Sequence, residues 1–185
     1  MAGIKKWELL KEEDLSPSRW YPLFRHEVRL PNGHVMDDYY ISKLGDVAMI
    51  IPVTKRGDLI LVRQYKHGIR EITLEFPAGI IEPGQTPLDA AYAELEQETG
   101  VQAKNIVLLG ELRSLPSKNF SRLFGFIAFN AMITTDQQLD VSEEIEVVTL
   151  SLRDTEEKIM SGEINCSDTV ALYTLYKLKY FPTKP

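Results

Sequence analysis

"GIIEPGQTPLDAAYAELEQETGV", residues 79–101, runs from a glycine-containing loop into a helix with glutamates at positions 94, 96 and 98. Pro87 suits the first turn of that helix, and Gly100 suits its end. Between them Leu88, Ala91, Tyr92, Leu95 and Thr99 gather on one side, the expected core face. Glu94, Gln97 and Glu98 form an adjoining strip, while Asp89 and Glu96 face water. Glu94 and Glu98 stand four residues apart and so point the same way. Like charges at that spacing oppose each other by about 0.2–0.5 kcal/mol. Two carboxylates beside the backbone carbonyls of the preceding "EFPAG" turn make an oxygen-rich environment of the kind Mg²⁺ uses, and a bound ion removes the repulsion. For a lone acidic pair of this spacing a solvated helix face is the favoured reading.

Outward from this segment the chain reads as strands. "DVAMIIPV" is a nearly continuous apolar run that suits a strand covered on both faces. "LILVRQY" follows the "KRGD" turn, and "ITLEFPAG" contains a shorter strand ending at Pro77. "IVLLGELR", "RLFGFIAFNAM" and "IEVVTLSL" are further strands. Asp154 is expected to cap a short helix ending near Gly162, and Ser167 or Asp168 a last helix through Tyr180. Strands interleaved with three helices predict an α/β sandwich around a mixed sheet. Ahead of them, residues 1–44 form a small β unit. There "FRHEVRL" and "VMDDYYISK" flank "PNGH", a strong hairpin signal. Two or three strands cannot bury a core alone.

Composition narrows the function. Apolar residues at 44% and charged residues at 26% are those of an ordinary globular protein. A net charge of −6 disfavours nucleic acid as a partner. No apolar run reaches the length of a membrane span, and "MAGIKKWELL" lacks the apolar core of a signal peptide. The single cysteine, Cys166, excludes an internal disulfide, fits a reducing compartment and predicts a cytoplasmic protein. A packed or half-exposed residue is expected there rather than a reactive thiol. His26, His34 and His67 have no metal-ligand spacing.

The opening segment resembles the Nudix box, which reads G, five residues, E, seven residues, R-E, an aliphatic, any residue, E-E, any residue, G, an aliphatic. Gly79, Glu94, Leu95, Glu98, Gly100 and Val101 match in register, with "PAG" ahead of Gly79. The strand order suits the Nudix fold, an α/β/α sandwich, over residues 45–185. Three positions depart: Gln85 replaces the first glutamate, Ala93 the arginine and Gln97 the first of the paired glutamates. The family's glutamate and arginine brace loop against helix, so losing both leaves no unpaired buried charge. Gln97 brings an amide in place of a charge. The resemblance therefore implies a single-ion site, Mg²⁺ or Mn²⁺, made by Glu94, Glu98 and the Ala78 carbonyl.

The surroundings are similar to ADP-ribose pyrophosphatases. Glu143 and Glu144 in "LDVSEEIEVVTL" correspond to the acidic loop that supplies a catalytic base, joining Glu94 and Glu98 as the catalytic set. Arg63 and Lys66 in "LVRQYKHGIREITLEFPAG" correspond to substrate-binding positions. Of the subgroup's downstream marker only Pro116 and Arg122 agree, and Ser121 replaces its acid. The resemblance implies a homodimer involving the N-terminal unit. It also implies a metal-dependent pyrophosphohydrolase that cleaves the diphosphate of a nucleoside diphosphate derivative, either ADP-ribose-like or a nucleotide sugar. The alternative is a catalytically lapsed domain that binds nucleotides, since Gln85, Ala93, Gln97 and Ser121 cluster around one site.

Overall fold

A computed structural model describes residues 3–182. They form two compact units, one reaching Gly45 and taking in Arg113–Arg122, the other comprising Asp46–Leu112 and the chain from Leu123 onward. The sequence alone places residues 113–122 with the larger domain.

The smaller unit is an antiparallel sheet of β1 (Glu8–Asp14), β2 (Leu23–Arg29) and β3 (Val35–Ser42), in that order. The Asn32–Gly33 hairpin joins β2 to β3, with the Gly33 amide donating to Leu30 and the His34 amide to Asn32 Oδ1. The first strand, "ELLKEED", has no apolar alternation to betray it. Its glutamates instead face cations: Glu13 meets Arg25 at 2.6 Å and Glu8 meets Arg29 at 2.7 Å. Residues 113–122 extend this unit, because Ser42 donates its amide to the Lys118 carbonyl and accepts from the Phe120 amide.

The larger unit holds β4 (Val47–Thr54), β5 (Leu59–Lys66), β6 (Glu71–Glu75), β7 (Ala78–Ile80), α1 (Pro87–Thr99), β8 (Val101–Gln102), β9 (Ile106–Leu112), β10 (Leu123–Ile133), β11 (Ile145–Leu150), α2 (Leu152–Ser161) and α3 (Ser167–Tyr180). The sheet runs β11-β5-β4-β10-β8, with β6 on β5, β7 on β4 and β9 on β10. Among the described residues of this sheet only the β4–β10 pair is parallel, so the sheet is mixed as expected.

The apolar run in β4 serves both faces. Met49, Ile51 and Val53 pack with Leu172, Tyr173 and Tyr176 of α3, while Ala48 and Ile50 pack with Ala90, Ala91 and Leu95 of α1. Alternate residues of one strand thus feed two cores, the arrangement of an α/β/α sandwich. None of the described helices is long and apolar enough to cross a membrane.

Two details correct the sequence reading of the helix ends. The cap of α2 is Ser151, whose hydroxyl accepts from the Asp154 amide at 3.1 Å and donates to its carboxylate at 2.7 Å. Asp154 is therefore the third helical residue, three positions after the cap, and serves the cap through its amide and carboxylate rather than being the cap itself. Cys166 occupies the cap position of α3 without a side-chain hydrogen bond. Ser167 and Asp168 are already helical, and Asp168 adds negative charge to the first turn, where the helix dipole favours it.

At the C-terminus of α1, Gly100 has φ 66°. A Cβ there meets the Thr135 backbone carbonyl. Gly100→Ala is expected to destabilise the protein by about 2–3 kcal/mol through left-handed backbone strain and this clash. Thermal unfolding checks it, with a fall in Tm of about 4–12 °C at this chain length.

Candidate active site

Local chemistry fixes α1 at both ends. The Thr86 hydroxyl accepts from the Asp89 amide at 3.1 Å, Pro87 occupies the first turn, and the Gly100 amide returns to the Glu96 carbonyl at 2.8 Å. The buried side consists of Ala90, Ala91, Leu95, Glu98 and Thr99. Leu88, expected in the core, shares that face but lies in the first turn, outside the apolar cluster, and is exposed. Tyr92 only borders the cluster.

The segment ahead of the helix is not simply a turn. Pro77 has no amide hydrogen to continue a ladder, and the pairing of β6 with β5 ends at Glu75. The Pro77 carbonyl accepts from the Ile50 amide, and Ala78 and Gly79 then pair with Met49 and Ala48 of β4. The chain thus changes partner strand and delivers Ala78 and Gly79 to the C-terminal half of α1.

Glu98 is 4% exposed, and its Oε2 accepts from the Ala78 amide at 2.9 Å. The carboxylate of Glu94 lies against Gly79, in space a Cβ would occupy. Gly79 is therefore the floor on which Glu94 rests.

Burial leaves both carboxylates short of solvation. Burial, reinforced by the charges of Glu143, Asp140 and Glu82, pushes Glu94 up to about 7. Burial likewise pushes Glu98 up to about 8; the Ala78 amide and Lys66 oppose the rise, while Glu94 and Glu143 add to it. Between the carboxylate's ordinary value and about 8, the folded protein binds more protons than the unfolded chain. Stability therefore falls as pH rises through that window.

The acidic loop between β10 and β11 divides its two glutamates. Glu143 acts on both buried carboxylates, and its Oε2 accepts from the Asp140 amide at 3.0 Å. Glu144 lines a small cleft with Arg63, Gln64, Tyr65, Ile72 and Glu146. Arg63 and Lys66, an odd number of residues apart on β5, fall on opposite faces. Arg63 is ion-paired to Glu146 at 2.7 Å, whereas Lys66 lies within electrostatic reach of Glu98 and Cys166. Asp140 and Glu82, which the sequence reading passed over, add negative charge at Glu94. Their only sequence signal was proximity to the box and to the acidic loop.

The residues that depart from the box pattern are placed without strain. Gln85 accepts from the Glu82 amide through its side chain at 3.1 Å. Ala93 lies on the far side of α1, lining a cleft of about 640 Å³ with Tyr92, Lys104 and Met132. Gln97 is exposed and engages the protein through its backbone carbonyl, which accepts from the Gln138 amide. In the smaller unit the amide and hydroxyl of Ser121 both donate to Asn119 Oδ1. Cys166 is half-buried, and burial together with Glu75 pushes its thiol up to about 11, which suits packing rather than reactivity.

The donor set fits a hard divalent cation: all ligating atoms are oxygens, and two carboxylates lack the solvation their charge requires. Among the described residues no group of three or more His, Cys, Asp or Glu side chains is arranged to hold a metal. A pair of carboxylates supplemented by backbone, water or substrate oxygens remains within Mg²⁺ chemistry.

Sequence comparison agrees with this geometry. Residues 43–165 match the NUDIX domain, and residues 7–42 match the nucleoside diphosphate sugar hydrolase N-terminal domain. The ADP-ribose pyrophosphatase of Bacillus subtilis (strain 168) is 28% identical over 185 residues, covering 100% of this chain and 96% of that protein. The ADP-sugar pyrophosphatase of Mus musculus is 42% identical over 103 residues, covering 50% of this chain and 47% of its own. A crystal structure of an ADP compounds hydrolase has the same fold, with a TM-score of 0.85 at 23% identity, covering 99% of this chain and 100% of that one. Carboxylates packed against the Ala78–Gly79 strand, a box in register and a domain match over most of the larger unit converge: the chain belongs to the Nudix family.

Proposed function

We propose that the protein is a divalent-metal-dependent pyrophosphohydrolase of ADP-ribose or an ADP-sugar, converting the nucleoside diphosphate derivative to two monophosphates. The observation that carries this reading is the packing of Glu94 and Glu98 against Ala78 and Gly79. It holds two poorly solvated carboxylates where a cation would be stabilised. The full-length likeness to an ADP-ribose pyrophosphatase and the partial likeness to an ADP-sugar pyrophosphatase supply the substrate class.

Glu94, Glu98 and the Ala78 carbonyl would hold Mg²⁺ or Mn²⁺. When bound, such an ion supplies charge neutralisation and Lewis acidity toward the diphosphate. Glu143, held in its loop by the Asp140 amide, serves as the base that takes a proton from the attacking water. The water oxygen bonds to one phosphorus, and the P–O bond to the bridging oxygen breaks. Lys66 balances negative charge beside Glu98 and is the better placed of the two cations to meet a phosphate. Arg63 is committed to Glu146 and needs substrate to draw it away. Glu144, beside Arg63, assists at the rim.

The test is incubation with a panel of nucleoside diphosphate derivatives plus Mg²⁺ or Mn²⁺, scoring monophosphate release. Turnover of ADP-ribose or an ADP-sugar supports the reading. Tight binding without turnover of any substrate would make the protein a nucleotide-binding module.

Gln97→Glu places a third carboxylate on the exposed edge of the strip. We expect it to lower Tm slightly in chelator and to enlarge the stabilisation by Mg²⁺, because like charges on a helix oppose each other until a cation intervenes. Thermal scans with and without Mg²⁺ check it, and a Mg²⁺ shift equal to that of the wild type contradicts it.

Trp7, Leu9, Trp20 and Tyr21 of the smaller unit are exposed, more apolar surface than a three-stranded sheet can cover. We expect a homodimer that buries part of it, and a monomeric mass by light scattering at micromolar concentration contradicts this. A single cysteine, Cys166, favours a reducing compartment and so the cytoplasm, which cell fractionation tests.

A further inference from the structure

The last turn of any helix leaves carbonyls without partners inside the helix. In α1 this turn carries Glu98, and no basic side chain stands there to offset the negative end of the dipole. The loop after β10 satisfies it instead. The Gln97 carbonyl accepts from the Gln138 amide at 2.9 Å, and the Gly100 carbonyl accepts from the Thr134 and Thr135 amides at 2.9 and 3.2 Å. The Glu98 carbonyl accepts from the side chain of Gln137 at 2.6 Å.

The same Gln137 nitrogen donates to the Ile145 carbonyl, at the first residue of β11, at 3.2 Å. Both partners are acceptors, so only the amide nitrogen can face them, and one NH₂ with two hydrogens serves both. Gln137 thereby ties the end of α1 to the start of β11. The chain between Gln137 and Ile145 is the loop that carries Asp140 and Glu143, itself folded by the Glu143 amide on the Asp140 carbonyl and the Asp140 amide on Glu143 Oε2.

We propose that Gln137 is a positioning residue, a clamp that holds the acidic loop against the C-terminal turn of α1 and so fixes Glu143 beside Glu94 and Glu98. The clamp stands on its hydrogen bonds; the catalytic use of Glu143 rests on the function proposed above. A glutamine half-buried in a polar loop gives no sequence signal of this kind, because the property that matters is a donor facing two carbonyls from different elements.

Gln137→Met keeps the length and removes the donor, and Gln137→Glu turns an oxygen toward the two carbonyls. Displacing a reacting group by about 1 Å can cost on the order of 100-fold in rate. With whichever diphosphate the wild type hydrolyses, both variants are expected to lose roughly 10- to 100-fold in kcat while KM stays within about threefold, the pattern of an interaction needed in the transition state. Amide hydrogen exchange at Gln138 and Glu143 is expected to accelerate by about tenfold or more, with exchange in the middle of β11 unchanged.

Unchanged exchange in the two variants would overturn the clamp. Accelerated exchange with unchanged kcat would overturn the positioning role. A wild-type protein that turns over no substrate in the panel defeats the function first and the catalytic half of this proposal with it, whereas the exchange measurement still decides the clamp.

Discussion

Glu98→Gln is expected to abolish Mg²⁺ binding and lower diphosphate hydrolysis by about 10²–10³-fold, the range seen when one group that stabilises transition-state charge is removed, while making the metal-free protein more stable. The two effects share a cause. At pH 8 the buried carboxylate carries charge that burial opposes, and its pKa, raised to about 8, measures that opposition. Each pKa unit corresponds to about 1.4 kcal/mol. A glutamine removes the charge, and its amide oxygen can still accept from the Ala78 amide. Burying the glutamine's own NH₂ group opposes this relief, so in chelator at pH 8 the variant should gain about 2 kcal/mol, less than half of what the shift alone gives, seen as a Tm roughly 4–8 °C higher.

The sign depends on pH. The wild type should lose stability as pH rises from about 4.5 to about 8, and the variant should lose less. Below that window the two should converge, because Glu98 is then protonated in both the folded and unfolded states. Thermal scans from pH 4 to 8 with chelator, and calorimetry with Mg²⁺, measure both effects. A variant that unfolds more easily than the wild type at pH 8 would mean Glu98 is held by contacts stronger than its burial.

Gly79→Ala is expected to cost about tenfold or more in activity and under about 1 kcal/mol in stability. The new methyl falls where the Glu94 carboxylate lies. A carboxylate at the end of a flexible side chain can swing aside, so the fold pays little; the swing removes it from its position beside Glu98. A double-mutant cycle isolates the cause. In a Glu94→Ala background, where nothing remains to displace, Gly79→Ala should add no further loss. An additive loss would show that Gly79 serves the backbone of β7 rather than Glu94.

The sequence made parts of this site legible because they depend on short-range chemistry. Pro87 and Gly100 bracket α1 as read, and the apolar run of residues 47–53 is a strand covered on both faces. The first strand escaped notice because its ladder is matched by ion pairs rather than apolar alternation. The short strand β7, Ala78–Ile80, gives no such signal because Pro77 reads as a stop, although it only ends one pairing before another begins. Asp154 looked like a cap because its side chain suits that role, but Ser151 three residues earlier takes it. Glu98 was read as one edge of an acidic strip. Its burial depends on which strand arrives beside the helix, a long-range fact that spacing does not carry. Gln137 was invisible for the same reason, since its two partners lie 39 and 8 residues away.

Residues 113–122 belong with the smaller unit that ends at Gly45 rather than with the strands on either side of them. During vectorial synthesis this separates a unit from its own last component. The three N-terminal strands leave the ribosome well before the segment that pairs with Ser42, which follows roughly 70 residues later. At about 5–20 residues per second that interval is roughly 3–14 s. For those seconds the nascent small unit lacks the partner of Ser42 and must wait for chain that has first to pass through six of the eight strands of the larger sheet. A nascent-chain truncation ending before residue 113 should therefore leave the N-terminal strands protease-sensitive, and one extended past residue 122 should protect them.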